Sequence, residues 1–401
     1  IMHLNCIIIN YKPEKKMPLP SFAERLREIV SLNSISSEEP ELDQSNESVI
    51  RCLERWFREL GFDVSIIKVK EKPLKYDLLA RLGEGEGGLL LSGHTDTVPA
   101  DPASWRSDPF TLTESEDRYT GLGSIDMKGF FAFAADAAES FSGKKLREPL
   151  YILATSDEET TMNGAKAFME QASIKPRAVI IGEPTSLTPV YKHKGYMAFR
   201  VTAHGRRAHS SNPAEGVNAI EIMHRAMAGV MKFRDSLREF RSPDFRVPKP
   251  TLNIGLIKGG DSPNSVPDAC VMQFDVRPTE LTPVDFIEDG VRKAIAESAG
   301  EYSGSVEIED LYPPLPAFGG GLEQPVVKKL AELSGNEPVT VGYATEAGLL
   351  SGLTPDTVVF GAGSISNAHQ PDEYLLKEEI GPMSRILREI ISLICEKGEL
   401  K

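Results

Sequence analysis

The sequence predicts an α/β fold, a mostly parallel sheet flanked by helices, with a smaller α+β unit inserted into it. Three observations carry this prediction. Apolar runs beginning at Leu89, Tyr151 and Ala178, of the kind buried on both faces of a parallel sheet, alternate with helical patterns. Residues 195–311 change rhythm and read β-α-β-β-α-β, the split ferredoxin-like unit. The length, 401 residues, exceeds what one hydrophobic core usually serves.

In chain order, Phe22, Leu26, Ile29 and Val30 recur at helical spacing after Ser21, and Val49, Leu53, Trp56, Phe57 and Leu60 do so again before Gly61. Phe62, Val64 and Ile66 alternate as a strand. The run from Leu89 ends in His94 and Asp96, which lie two apart and so share one side of an extended backbone. A Pro-, Asp- and Ser-rich loop over 98–117 leads to Asp126, just before the small and aromatic stretch 129–138, which reads as a buried helix. The Gly-x-Gly at Gly121 and Gly123 lacks the strand-turn-helix context of a dinucleotide fingerprint.

The run from Tyr151 ends in Asp157, Glu158 and Glu159, and that from Ala178 ends in Glu183. Each feature alone has an ordinary explanation: a His–Asp hydrogen bond, an Asp helix cap, a solvated acidic loop. Their coincidence argues otherwise, because α/β proteins build sites at the carboxyl ends of sheet strands.

Within the insertion, strands are expected at 195–203, 251–257, 269–276 and 305–311. One helix is expected from about Pro213, with Val217, Ile220, Met223, Met227 and Val230 on its face. Thr282 as N-cap with Pro283 at the first helical position opens the other. Residues 312–321 read as a linker, 326–333 as a helix and 357–360 as a buried strand. A loop over 361–373 carries His369, and 380–394 form a closing amphipathic helix. The expected division is therefore 17–194 plus 312–401 as one domain and 195–311 as the inserted one. Residues 1–16 are expected to be a non-native or disordered extension, because Met17 directly precedes the first helical pattern.

The net charge of −14 argues against nucleic acid and anionic membrane as partners. No apolar run approaches the length of a membrane span. Cys6, Cys52, Cys270 and Cys395 lack CxxC spacing, which favours free thiols in a reducing cytoplasm. No Gly-x-Ser-x-Gly elbow follows a strand, so a serine hydrolase mechanism is set aside.

His94, Asp126, Glu159, Glu183 and His369 form the donor set that a pair of borderline-hard divalent ions needs. Two such ions about 3.5–4 Å apart polarise an amide oxygen and acidify a water. Glu158, beside the ligand Glu159, could take the water's proton and pass it to the leaving nitrogen. This is the chemistry of metal-assisted amide hydrolysis.

His94-Thr-Asp96, Gly123-Ser-Ile-Asp126-Met-Lys-Gly129, Asp157-Glu-Glu159, Gly182-Glu183-Pro-Thr185 and His369-Gln-Pro-Asp-Glu373 resemble the successive motifs of the dinuclear co-catalytic zinc peptidases and deacylases. The resemblance implies His94 and Glu183 on one ion, Glu159 and His369 on the other, and Asp126 bridging. It also implies that Asp96 orients His94 and that Glu158 is the general acid/base. It implies a homodimer through the inserted domain, an oxyanion-stabilising His209, and substrate contacts from Asn264 and Arg277. Zn²⁺ is the first expectation for the metal, with Co²⁺ or Mn²⁺ compatible. Within the family, Leu42-Asp-Gln-Ser-Asn46, Asp108-Pro-Phe-Thr-Leu-Thr113, His193-Lys-Gly195 and Thr345-Glu-Ala347 resemble the branch that hydrolyses N2-acetyl-L-ornithine to L-ornithine and acetate in arginine biosynthesis. Desuccinylation of N-succinyl-diaminopimelate, deacetylation of acetylcitrulline or a broader N-acyl-amino-acid hydrolysis keeps the chemistry and changes the substrate. A metal-free binding protein on the same fold is the remote alternative.

Overall fold

The computed structural model describes residues 20–400, so the extension expected over 1–16 lies outside the described residues. Helix α1 (Phe22–Val30) opens on a capping box: the Glu24 amide donates to Ser21 Oγ at 3.4 Å and the Ser21 amide to Glu24 Oε2 at 2.7 Å. Helix α2 (Glu47–Glu59) buries Val49, Leu53, Trp56 and Phe57. Strands β1 (Asp63–Glu71), β2 (Leu74–Leu82) and β3 (Leu89–His94) follow, then α3 (Gly129–Glu139), β4 (Leu150–Thr155), α4 (Asn163–Gln171), β5 (Ala178–Ile181) and β6 (Val190–His193).

The insertion holds β7 (Met197–His204), α5 (Ala219–Ser236), β8 (Thr251–Gly259), β9 (Ala269–Arg277), α6 (Val284–Ala299) and β10 (Val306–Asp310). The chain then returns through β11 (Phe318–Gly319), α7 (Pro325–Ser334), β12 (Val339–Val341), α8 (Ala347–Leu350), β13 (Thr357–Val359) and α9 (Lys377–Ile391).

The large sheet runs β1-β2-β4-β3-β5-β13-β6-β11, with β12 also paired to β6. Its centre, β4-β3-β5-β13, is parallel throughout, and antiparallel pairs lie to either side. Side chains alternate as the two-residue period demands. Leu89, Leu91, Ile152 and Ile180 join the core beneath α1, α2, α3 and α9, whereas Leu90, Tyr151, Leu153, Val179 and Ile181 join the core on the opposite face. Helix α3 lies hard against the sheet. A Cβ on Gly182 would stand 2.2 Å from the Phe130 ring, and one on Gly93 would stand 2.6 Å from Met127 Cε.

The insertion forms its own antiparallel sheet, ordered β8-β9-β7-β10, and its own core with α5 and α6. Its two connections to the large sheet are tied together. Tyr196 and Leu315 exchange both backbone hydrogen bonds, at 3.0 and 2.9 Å.

Several boundaries differ from the sequence reading. Pro213 sits in a separate 3₁₀ turn, and α5 starts at Ala219 because the Asn218 side chain accepts from the Ile220 and Glu221 amides, at 2.9 and 3.3 Å. The buried face of α5 is therefore Ile222, Met223, Ala226, Val230 and Phe233, and Ile220 is exposed. Pro283 occupies the cap of α6 with extended backbone, and the Thr282 hydroxyl instead donates to the Thr279 carbonyl at 3.2 Å. The stretch expected as a linker contains β11, an edge strand on β6.

Candidate metal centre

Four adjacent parallel strands end at one place. β3 delivers His94, β4 leads into Asp157, Glu158 and Glu159, β5 leads into Glu183, and β13 leads into the loop that carries His369. Asp126 arrives from the turn before α3. A ligand cleft at the carboxyl ends of parallel strands is what this topology offers.

Asp126 stands in the middle. Its Oδ1 is 3.1 Å from His94 Nε2 and its Oδ2 is 3.2 Å from His369 Nε2. Glu159 Oε2 lies 3.0 Å from the same His369 nitrogen. Donor atoms of His94, Asp126 and Glu183 lie within 4.8 Å of one another, as do those of Asp126, Glu159 and His369. The two groups share Asp126. His94, Glu158 and Glu159 form a third such group, with Glu158 Oε2 3.9 Å from His94 Nε2.

The electrostatics fit cationic guests. Burial, reinforced by the neighbouring carboxylates, pushes Glu158 and Glu183 well above the usual carboxylate range. His94 is driven down by burial but carried well above its ordinary value by Asp126 and the surrounding acids. Hydrogen bonds to Asp126 and Glu159 raise His369 to about 11. Four crowded carboxylates and two imidazoles, all but His369 largely shielded from solvent, are a donor set for divalent ions, which offset the charge without proton uptake.

Surrounding residues hold these groups in place. Asp96 Oδ1 and Oδ2 accept the backbone N–H groups of Glu158 and Glu159, at 3.2 and 3.1 Å. The His94 Nδ1 lies nearer the Asp96 carbonyl, at 3.0 Å, than the carboxylate, at 3.6 Å. Asp96 thus carries a second task, fixing the acidic loop, that the His-x-Asp spacing does not reveal. Glu373, four residues after His369, is buried and accepts from the amides of Gly123, Ile125 and Asp126 at 2.9–3.2 Å. It clamps the turn that presents Asp126.

Behind the acidic loop, the fully buried Lys75 lies 2.8 Å from Asp43 Oδ1 and 2.9 Å from Asp157 Oδ1, and donates to Ser36 Oγ at 3.0 Å. Ser36 in turn donates to Asp157 at 2.9 Å. Asp157 itself takes a left-handed backbone conformation, φ 57°. Lys75 does not stand out in sequence, where it looks like an ordinary surface charge, and Glu373 appears there only as the end of the His369 motif.

Arg277, from the end of β9, reaches the same cleft, with its guanidinium 4.3 Å from the centre of the Tyr196 ring. Tyr312 and Tyr343 line the cleft too, and no signal in the sequence singled them out. His209 and Asn264 do not line it. They meet each other instead, where Ala208–His209 pairs with Ser265–Val266 and the Ser210 amide donates to the Asn264 carbonyl at 3.1 Å. The Ser211 amide donates to His209 Nδ1 at 3.1 Å, which leaves Nε2 as the protonated, donating nitrogen of the neutral ring.

The chain is similar to known proteins over most of its length. Peptidase family M20/M25/M40 matches residues 90–393. The acetylornithine deacetylase of Vibrio campbellii (strain ATCC BAA-1116) is 47% identical over 380 residues, covering 94% of this chain and 100% of its own. The acetylornithine deacetylase of Vibrio cholerae serotype O1 (strain M66-2) is 46% identical over the same extent. Among solved structures, the M20 family metallo-carboxypeptidase Sso-CP2 from Sulfolobus solfataricus superposes with a TM-score of 0.76 at 19% identity, covering 94% of this chain and 99% of that one. A Bacillus subtilis dinuclear metal-binding peptidase of the M20 family gives 0.62 at 15% identity, covering 93% and 97%.

Proposed function

Because the chain belongs to peptidase family M20/M25/M40, we propose that it is a metal-dependent deacetylase that hydrolyses N2-acetyl-L-ornithine to L-ornithine and acetate, a step of arginine biosynthesis. The observation that carries this reading is Asp126, with one oxygen toward His94 and the other toward His369, at the junction of two ligand groups. His94 and Glu183 would hold one ion, Glu159 and His369 the other, and Asp126 both. Zn²⁺ suits the mixed imidazole and carboxylate set best. Bound there, the ions supply Lewis acidity toward the amide carbonyl and toward water.

The remaining roles belong to the chain itself. Glu158 takes a proton from the attacking water and returns it to the departing amine nitrogen, so that the C–N bond breaks as a neutral amine leaves. Asp96 holds the backbone beneath Glu158 and so fixes its reach. The Arg277 guanidinium takes the α-carboxylate as a fork. His209 and Asn264 would enter the cleft from a second copy of the chain. The exposed Leu256 and Ile257 on the edge strand β8, with exposed Ile220 on α5, support a homodimer through the inserted unit. The Nε2–H of His209 is the donor that a developing oxyanion requires. Buried, unpaired Cys52, Cys270 and Cys395 support a cytoplasmic setting. No helix among the described residues is long and apolar enough to cross a membrane.

The test is acetate release from N2-acetyl-L-ornithine by the metal-loaded protein, before and after chelation, beside N-succinyl-diaminopimelate and N-acetyl-L-methionine. Preference for acetylornithine, lost on chelation and restored by Zn²⁺ or Co²⁺, is expected. Activity that survives complete metal removal refutes the mechanism, and preference for either other substrate refutes the assignment of substrate.

A further inference from the structure

Arg277 is held on two sides before any substrate arrives. Along β9 the buried Cys270, Met272, Phe274 and Val276 alternate with Val271, Gln273, Asp275 and Arg277, so Asp275 and Arg277 stand two apart on the less buried face of the inserted sheet. Arg277 Nε donates to Asp275 Oδ2 at 3.1 Å. Between β9 and β7, Val276 pairs with Met197, and one residue further on Arg277 comes beside Tyr196, with its guanidinium carbon 4.3 Å from the centre of that ring.

These two contacts leave a guanidinium little freedom. The ring sets the tilt of its plane, and the bond at Nε sets its rotation within that plane. What remains is the end-on fork of Nη1 and Nη2, from which no hydrogen bond runs to another group among the described residues. Arg277 and Tyr196 both line the cleft that contains Asp126, Glu158 and Glu159. The footing is tight as well. The Gly195 amide donates to the Pro278 carbonyl at 2.9 Å, and a Cβ on Gly195 would meet the Leu315 carbonyl and stand 2.8 Å from Pro278 Cγ.

Resting on the reading in which Arg277 receives the substrate's α-carboxylate, we propose that Asp275 is a positioning residue for substrate recognition, which together with the Tyr196 ring presents the end-on fork of Arg277 to that carboxylate. The Arg277 and Asp275 side chains are 35% and 29% exposed, so their ion pair adds little to stability, and its use lies in direction. A guanidinium already aimed loses less rotamer freedom on binding. Asp275 also brings a negative charge toward an anionic substrate, which opposes binding. The two effects have opposite signs, and one pair of substitutions separates them.

The experiment measures acetate release by the metal-loaded full chain from N2-acetyl-L-ornithine and from its α-carboxamide, which differ only in the group that Arg277 would receive. Asp275→Ala frees the guanidinium, and KM for the carboxylate substrate rises about fivefold with kcat unchanged, while KM for the carboxamide stays within about twofold of wild type. Asp275→Asn keeps an oxygen for Nε and removes the charge, so KM for the carboxylate returns to the wild-type value or falls below it. A fall in KM for both variants would show that Asp275 acts only as a like charge, and overturns the proposal. An equal rise for both substrates in Asp275→Ala shows a general structural role and overturns it too, as does an unaltered KM, each leaving the deacetylase reading intact. A wild-type holoenzyme that hydrolyses neither substrate overturns that reading and the proposal together.

Discussion

Replacing Lys75 by Met tests whether the charges behind the acidic loop hold the site in shape. The lysine is fully buried, its two carboxylate partners are at most 5% exposed, and its nitrogen lies 2.8 and 2.9 Å from them. Removing one member of a buried ion pair costs about 3–5 kcal/mol, because the partner's charge is left without compensation. Asp43 keeps Lys70 at 2.7 Å, but that lysine is 39% exposed and compensates only in part. Asp157 keeps only the Ser36 hydroxyl.

We therefore expect Lys75→Met to lose about 3–5 kcal/mol in urea unfolding at pH 7. Turnover should fall as well, since Asp157 immediately precedes Glu158 and Glu159. The pH dependence has a definite sign. In the wild type, burial works to raise the Asp43 carboxyl, but Lys70 and Lys75 outweigh it and hold the group below its ordinary value. That contribution is present above the unfolded carboxylate pKa, about 4, and is lost as pH falls through the lowered folded value. The gap between variant and wild type should therefore narrow below about pH 4. A loss under about 1 kcal/mol at pH 7, or a gap that widens on acidification, would refute the argument.

Other perturbations follow from the same geometry. His369→Ala should lose one of two bound metal equivalents by elemental analysis, and retention of both would remove His369 from the ligand set. Glu158→Ala should keep the metal and lose about 10²–10⁴-fold in kcat, with near-normal turnover excluding it as the proton carrier. Gly182→Ala places a methyl 2.2 Å from the Phe130 ring. It should cost about 1–3 kcal/mol of stability and weaken metal retention, and wild-type values for both would show that α3 can yield. His193 is fully buried, and burial lowers its pKa to about 4 against an ordinary 6.5. The unfolded chain takes up that proton first, so stability should fall by about 3 kcal/mol between pH 6.5 and 4. The part due to this ring is read as the difference from His193→Gln across that range, and identical slopes would contradict it.

Four residues of the candidate centre, His94, Glu159, Glu183 and His369, are legible because each comes at or just after an apolar strand, whereas Asp126 is marked only by the small and aromatic helix that it precedes. Supports were harder to see. β2 is hard to read from sequence because Lys75 and Asp77 interrupt its apolar pattern, and both are buried through partners from distant segments. Glu373 ends the His369-Gln-Pro-Asp-Glu373 motif, yet its task depends on three amides some 250 positions earlier. Tyr312 was hidden in a stretch that composition marked as a connector. The α5 face came out rotated because Val217 and Ile220 were counted into a helix that Asn218 starts later. The family resemblance points to His209 and Asn264 within the insertion, but a single chain does not bring them to the cleft.

The backbone exchange between Tyr196 and Leu315 makes the two crossings into the insertion behave as one axle. A rigid rotation displaces each atom in proportion to its distance from the axis. Tyr196 is on the axle and Tyr312 lies three residues from Leu315, so a swing of the insertion carries them through short arcs. The ladder that bears His209 and Asn264 sits beyond the body of the inserted sheet and sweeps a longer path. Residues near the pivot can therefore keep hold of a substrate throughout such a swing, and those at the rim engage at only one end of it. The cleft wall at Tyr196 and Tyr312 and the ladder that bears His209 are in this way separated along a single lever.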